Sequence, residues 1–270
     1  MGLIDSHAHL TDPCFQNRVG EVLDRAVAAG VDHVISIATD MDDADRVMSL
    51  ARADTRVSAA IGIHPHQAAK TTEADWARYE RMIHNGPLVA LGEMGLDYHY
   101  NFADRVAQQR VLERQLDIAQ PTELPIIIHC REAHDDTVAT LRRFGFVDRP
   151  VVFHCFTGNS EQAAEIADNG WRISFTGVVT FKNAGELQTI AKDYPLDKLM
   201  VETDSPYLSP EPVRRVRPNE PAHMVHTARF LAALRSLTVE ELTDRTAANT
   251  VSFFVRGNTS AVCDAGRQDD

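Results

Sequence analysis

Short apolar runs rich in β-branched residues recur along the whole chain, separated by amphipathic segments. Eight runs are present, at residues 3–5, 33–37, 57–61, 88–93, 126–129, 151–154, 171–175 and 199–202. Regular alternation of buried strands and helices is typical of βαβ units, which build parallel sheets covered on both faces. Eight repeats within 270 residues favour an α/β protein with a closed (β/α)8 TIM barrel over an open sheet.

The segments between the runs carry helical signals. One helical face is predicted from Phe15, Val19, Val22, Leu23, Ala26 and Val27, ending at Gly30, and another from Val106, Leu112, Leu116 and Ala119. Thr238 and Glu241 have the spacing of a capping box that opens a short helix. The sequence becomes polar and aperiodic near its end, so we predict one barrel domain over residues 1–256 and a flexible polar tail over 257–270.

Charge and composition exclude several classes of protein. A hydrophobic fraction of 44% argues against a disordered or fibrous chain. The 39 acidic and 27 basic residues leave a formal charge of −12, which disfavours nonspecific electrostatic binding of nucleic acid. A phosphate-rich substrate would need local positive charge. Four cysteines without paired spacing, and a start that lacks a secretory pattern, predict a cytoplasmic protein. No membrane contact is expected, and no obligate protein partner is evident from the sequence.

Histidines and carboxylates end five of the predicted strands. They are His7, His9, Glu93, His129, His154 and Asp204. Each alone has an ordinary reading as a core histidine, a solvated acid or a turn residue, but all five strand ends share the rim where barrels place their sites. Four imidazoles and two carboxylates exceed the ligands of one tetrahedral zinc. They suit two ions about 3.5–4 Å apart, bridged by Glu93.

Neighbours of these ligands receive supporting roles. Strand alternation is expected to turn Cys130 and Cys155 away from the barrel axis, so we predict that they pack rather than coordinate. Glu202 precedes Asp204 by two residues and is expected to support the ligands from deeper in the barrel.

Six ordered motifs resemble the TatD family of metal-dependent deoxyribonucleases. They are residues 7–9 (HAH), 62–66 (GIHPH), 92–98 (GEMGLDY), 129–131 (HCR), 154–158 (HCFTG) and 202–208 (ETDSPYL). The resemblance extends from residue 4 to about 254 and includes FKN at 181–183 and NEP at 219–221. It departs at residues 214–219, where RRVRPN replaces a Gly-Lys-Arg-Asn-like run, and this departure leaves substrate preference open.

The resemblance implies a metal-dependent hydrolase of the amidohydrolase-like superfamily. One ion would be held by His7, His9, Glu93 and Asp204, and a second by Glu93, His129 and His154. Some related barrels bridge their metals with a carboxylated lysine, but no lysine here lies at the end of predicted strand four or five. Imidazoles favour Zn, Mn, Fe or Co, whereas the family implies activity with Mg, so metal identity stays open.

The function implied is a 3′ exonuclease acting on single-stranded DNA or a DNA end, with a metal-activated water cleaving the phosphodiester. Asp204 would orient or deprotonate that water, with Glu93 bridging the ions. His64 and His66 would contact phosphate or protonate the leaving oxygen. The alternative is that His64 orients a ligand and His66 is solvated.

The remaining predicted contacts are arginines and aromatic rings. Phosphate contacts are expected from Arg131, Arg214 and Arg217, and base stacking from Phe102, Phe156, Phe181 or Tyr207. Two other functions stay open: a two-metal hydrolase of a small-molecule ester, amide or lactone, and a metal-containing binding protein without turnover. The second is disfavoured because every proposed ligand is present.

Overall fold

The computed structural model describes residues 1–254, which form an eight-stranded parallel sheet in sequential order. The strands are β1 Leu3–Ala8, β2 Val31–Ile37, β3 Val57–Ile61, β4 Leu88–Asp97, β5 Ile126–Arg131, β6 Val151–Phe153, β7 Arg172–Phe175 and β8 Leu199–Val201. Two backbone hydrogen bonds bring the first and last strands together, from Asp204 N–H to the His7 carbonyl (2.9 Å) and from His9 N–H to the Ser205 carbonyl (2.7 Å). The predicted (β/α)8 architecture is confirmed.

Helices follow the strands around the barrel. Within residues 1–254 they are α1 Val19–Ala28, α2 Met41–Ala53, α3 Glu73–Asn85, α4 Arg105–Ala119, α5 His134–Arg143, α6 Ser160–Asp168, α7 Gly185–Asp193, α8 Met224–Leu234 and α9 Val239–Phe254. Most buried apolar residues lie in one cluster that includes the inward faces of these helices. Phe253 and Phe254 belong to a second cluster with Ile35, Val89 and Ile127 of the strands. The end of α9 therefore packs against the barrel strands. None of the helices in this part of the chain is long and apolar enough to cross a membrane.

The helical-face predictions are wrong at three residues. Phe15 is buried, but it lies in a separate 3₁₀ turn before α1. Val27 is 46% exposed because it sits about 90° around α1 from the centre of the buried face. Val106 is 80% exposed, since six positions at about 100° each place it about 120° around α4 from Leu112.

The chain end is only partly covered by the structure. Thr238 and Glu241 form the predicted capping box, but the helix that they open, α9, has 16 residues and is not short. The predicted tail at residues 257–270 lies outside the described residues, so the domain division at residue 256 stays a prediction.

One buried histidine gives the barrel a testable pH dependence. Burial lowers the pKa of His33 from 6.5 to about 4, and its Nε2 lies 2.8 Å from Ser58 Oγ. The unfolded chain takes up a proton near pH 6.5 and the folded chain only near 4, so this contribution to stability is lost as the pH falls between those values. We expect His33→Gln to reduce the parent's loss of unfolding free energy between pH 7 and 4.5 by about 2 kcal/mol.

Urea denaturation in the presence of EDTA measures this difference without a contribution from bound metal. His84→Gln, at an exposed position on α3, is the matched control and is expected to keep the parent's pH slope. An unchanged slope in His33→Gln would contradict the assignment.

Candidate metal centre

The six predicted ligands meet at the carboxyl end of the barrel. His7 lies in β1 and His9 directly after it, Glu93 in β4, His129 in β5, His154 after β6 and Asp204 after β8. Glu93 is 2% exposed, and the side chain of His129, the most accessible of the six, is 18% exposed. The strand ends thus bring four imidazoles and two carboxylates into one shielded cluster.

The first half of the cluster consists of His7, His9 and Asp204, and it lies next to one oxygen of Glu93. Glu93 Oε1 lies 3.8 Å from His7 Nε2 and 3.4 Å from His9 Nε2. Asp204 Oδ1 lies at the same two distances from these nitrogens. Two imidazoles and two carboxylate oxygens therefore surround one position.

The second half of the cluster consists of His129 and His154, and it lies next to the other oxygen of Glu93. Glu93 Oε2 lies 2.9 Å from His154 Nε2, 3.5 Å from His129 Nδ1 and 3.8 Å from His64 Nε2. His64, which was predicted to lie outside the ligand set, has its Nε2 at the edge of this half. Each carboxylate oxygen of Glu93 thus serves a different group of imidazoles.

An irregularity in β4 accompanies the position of Glu93. Leu91 pairs with Ile126 and Met94 with Ile128, so β4 has one extra residue in this interval, which is the pattern of a β-bulge. Gly92 and Gly95 both have positive φ, at 136° and 151°. A Cβ on Gly95 would lie 1.8 Å from the His129 carbonyl oxygen. Glycine is therefore required for β4 to approach β5 beside the cluster.

Unpartnered nitrogens indicate that the cluster is built for metal. Within residues 1–254, neither ring nitrogen of His7 has a hydrogen-bond partner, although both atoms are buried, and His7 Nε2 faces Glu93 and Asp204. A buried polar atom without a partner is costly. His7, His9 and Asp204 offer ligand atoms within 4.8 Å of one another, as do His64, Glu93 and His129. Imidazole and carboxylate donors in this arrangement fit divalent transition-metal ions.

The charges of the cluster are strongly coupled. Burial raises the pKa of Glu93, but the surrounding imidazoles outweigh burial and hold it well below its usual value. Burial lowers the pKa of His9, yet its contacts with Asp204 and Glu93 raise it to about 9. Without metal, protons therefore balance the carboxylates, and divalent cations would take their place because metal ligands bind deprotonated.

Asp97 belongs to the GEMGLDY motif at residues 92–98, and the sequence alone predicted no function for it. In the structure it contacts two histidines. Its Oδ2 lies 3.0 Å from His129 Nε2 and 2.9 Å from His66 Nε2. Its Oδ1 accepts hydrogen bonds from the backbone N–H groups of His99 and Tyr100, both at 3.0 Å. A carboxylate on the far nitrogen of a metal-binding histidine orients the ring and raises its basicity.

Glu202 occupies the corresponding place behind His154. Its Oε1 lies 3.5 Å from His154 Nδ1 and accepts the Cys155 N–H at 2.7 Å. Ser6 Oγ donates to its other oxygen at 3.2 Å. The expected supporting position of Glu202 thus matches its contacts.

Replacing Asp97 tests its link to His129. We expect Asp97→Asn to weaken metal binding in the second half about 10- to 100-fold, because the amide keeps the size of the side chain but loses the charge that orients His129. Titration of the metal-free protein against a chromophoric chelator measures the affinity. Asp136→Asn, which alters an acid bonded to the Tyr98 hydroxyl, is the matched control. Equal affinity in the two variants would contradict the role of Asp97.

The predicted substrate contacts separate into two places. His66 and Arg131 line the same cleft as the cluster. Arg214 and Arg217 lie in a different groove formed by residues 211–217, where Arg214 stacks over Phe181 at 3.9 Å and Arg217 donates to Ser209 Oγ. The cleft also receives Arg46 from α2, which carried no signal in the sequence because it precedes strand three and matches no motif.

Comparison with known proteins agrees with this geometry. The sequence matches the family described as "TatD related DNase" over residues 4–255. An uncharacterized metal-dependent hydrolase of Bacillus subtilis is 37% identical over 93% of this chain and 98% of its own length. A Cronobacter turicensis protein named 3′-5′ ssDNA/RNA exonuclease TatD is 32% identical, with 96% and 100% covered.

Solved structures extend the comparison to the fold. The crystal structure of a TatD homologue from Escherichia coli superposes with a TM-score of 0.88 at 30% identity, covering 93% of this chain and 97% of that one. With the family match across the barrel and the candidate metal-ligating residues at its rim, the chain belongs to the TatD family of metal-dependent hydrolases.

Proposed function

We propose that this protein is a two-metal phosphodiesterase that removes nucleotides from the 3′ end of single-stranded DNA. The observation that carries the proposal is that the two carboxylate oxygens of Glu93 face two separate groups of imidazoles. Related proteins from Cronobacter turicensis and Salmonella typhimurium bear the name 3′-5′ ssDNA/RNA exonuclease, which supports the choice of substrate.

The ligands would divide between the two halves. His7, His9, Glu93 and Asp204 would hold one ion, and Glu93, His129 and His154 the other. When bound, two divalent ions lower the pKa of water and stabilise negative charge on phosphoryl oxygens.

Asp204 would position the attacking water. It lies just after β8, and its Oδ1 faces His9 Nε2 at 3.4 Å. Burial raises the pKa of Asp204, but its contacts with His9 and His7 lower it overall, so the carboxylate is ionised at neutral pH. An ionised carboxylate accepts a hydrogen bond from water and can take a proton as the bond to phosphorus forms.

His64 would donate a hydrogen bond to the phosphate. Burial holds its pKa well below the usual value, so the ring is neutral. Its Nδ1 accepts the His66 N–H at 3.0 Å, which assigns the proton to Nε2, the nitrogen that faces the cluster. A neutral His64 can thus donate from Nε2 to a phosphoryl or leaving-group oxygen.

The cleft suits an extended, negatively charged substrate. Its volume of ≈ 1220 Å³ exceeds the roughly 300–1,000 Å³ of pockets for single small molecules. Arg131 lines it and supplies local positive charge on a protein of net charge −12, whereas the Arg46 guanidinium in the same lining is paired with Asp43 at 3.1 Å. Arginines are suited to phosphate contacts that do not depend on base sequence.

Digestion of end-labelled oligonucleotides tests the proposal. We expect a 5′-labelled single strand to shorten stepwise, and label at the 3′ end to be released first. EDTA should abolish the reaction and divalent ions restore it. A panel of carboxyl esters, amides and lactones provides the comparison. Turnover of members of this panel, with every oligonucleotide left intact, would contradict the proposal.

A further inference from the structure

Exposed aromatic side chains are confined to one place on the described surface. Among Phe, Tyr and Trp residues of the 1–254 region, those exposed to solvent are Phe102 (64%), Tyr207 (54%) and Tyr100 (42%). All three line the cleft that holds the metal-ligating cluster. Exposing a large aromatic ring forgoes the stabilisation of burying it. Three such rings on the rim of one cleft therefore point to a ligand with an apolar, planar part.

Two of these rings contact each other and the His66 ring. The Phe102 ring centroid lies 4.7 Å from that of His66 and 5.7 Å from that of Tyr100, and Tyr100 lies 5.5 Å from His66. We call His66, Tyr100 and Phe102 the aromatic wall. The Arg131 guanidinium lies 5.1 Å from the Tyr100 ring, within cation–π distance.

The aromatic wall is attached to the cluster through Asp97. This carboxylate is 1% exposed and lies within hydrogen-bond distance of His66 Nε2 on one side and His129 Nε2 on the other. It also accepts the Tyr100 backbone N–H at 3.0 Å. The wall is thus held at a set distance from the second half of the cluster, where a phosphate would bind.

We propose that the aromatic wall stacks the base of one of the two nucleotides that flank the scissile phosphate. The inference rests on the proposed nuclease function and adds a specific subsite to it. Every nucleobase has a π-face, so such a surface binds bases without reading their identity. Arg131, beside the wall, is placed to contact the phosphate attached to the stacked nucleotide.

Substitution of Phe102 combined with abasic oligonucleotides tests the wall. Binding is measured by fluorescence anisotropy with a short single strand carrying phosphorothioate linkages, and cleavage by kcat and KM on the ordinary strand. We expect Phe102→Ala to raise Kd and KM about 5- to 30-fold, with a smaller effect on kcat, and Phe102→Trp to restore binding. Val106→Ala, an apolar truncation at an even more exposed position outside this cleft, should bind like the parent.

The abasic strands identify stacking as the cause. An abasic residue at the terminal or the penultimate position should weaken binding to the parent by a similar factor. At the position that stacks, Phe102→Ala should then add little, because the two changes remove one interaction.

The possible results separate the two proposals. Equal binding and cleavage by Phe102→Ala and Val106→Ala would overturn the aromatic wall and leave the nuclease function standing. A loss in Phe102→Ala that persists on both abasic strands would overturn base stacking as its cause. If the parent binds and cleaves no oligonucleotide, the proposed function fails and the wall with it.

Discussion

Replacing Glu93 by glutamine is expected to reduce bound metal from two ions to fewer than one and to lower turnover of oligonucleotides at least about 10³-fold. Glu93 is the one carboxylate in the cluster whose two oxygens face both groups of imidazoles, at 3.4 Å from His9 and 2.9 Å from His154. Glutamine has the same shape but presents a single neutral oxygen, and its NH₂ group would point at one of the two ion positions.

Metal analysis of the protein after dialysis, together with the digestion assay, measures both effects. Glu132→Gln is the matched control, because Glu132 lines the same cleft but pairs with His99 on the rim instead of with the cluster. The control should keep both ions and full activity. Retention of two ions in Glu93→Gln would show that Glu93 does not bridge.

Replacing Asp204 by asparagine is expected to remove only one ion and to lower turnover at least about 10²-fold. Asp204 Oδ1 faces His9 and His7, the imidazoles of the first half. The second half keeps Glu93, His129 and His154 in this variant. The substitution also removes the carboxylate that would position the attacking water. Activity should therefore fall even though the second half still binds its ion.

Electron paramagnetic resonance of the Mn²⁺-loaded protein distinguishes one ion from two. The parent should show the spectrum of a coupled pair, and Asp204→Asn that of a single ion. His154→Ala should also give a single ion, held in the other half. Asp12→Asn, which changes an acid on the cleft rim, should retain the coupled spectrum. A coupled pair in Asp204→Asn would contradict the assignment of Asp204 to the first half.

The barrel was predictable because its signal is repeated. Each βα unit buries its own short strand, so eight apolar runs of similar length are visible without knowledge of their partners. Strand bounds were less predictable: β4 extends to Asp97, four residues beyond the predicted end, since the glycines that look like a stop are part of the strand. Val106 shows the same limit for helices, because an apolar residue in the first turn need not face the core.

The grouping of the six ligands was also predictable, since parallel strands in a barrel end on one rim. Their individual directions were not. The extra residue in β4 shifts the register opposite β5 next to Glu93, and a shift of one residue exchanges the two faces of a strand. The arginines show a similar limit: Arg214 and Arg217 turn toward their own loop, whereas Arg46 reaches the cleft from α2.

The amino-acid sequence by itself therefore determined the (β/α)8 architecture and the chemical identity of the side chains at its rim, because both depend on local patterns within each βα unit. Only the tertiary structure decided how those side chains are connected. The division of Glu93 between two groups of imidazoles and the link from His129 through Asp97 to His66 both depend on contacts between residues of different strands and loops. Such contacts follow from register and loop closure, which are set by the packing of the whole barrel.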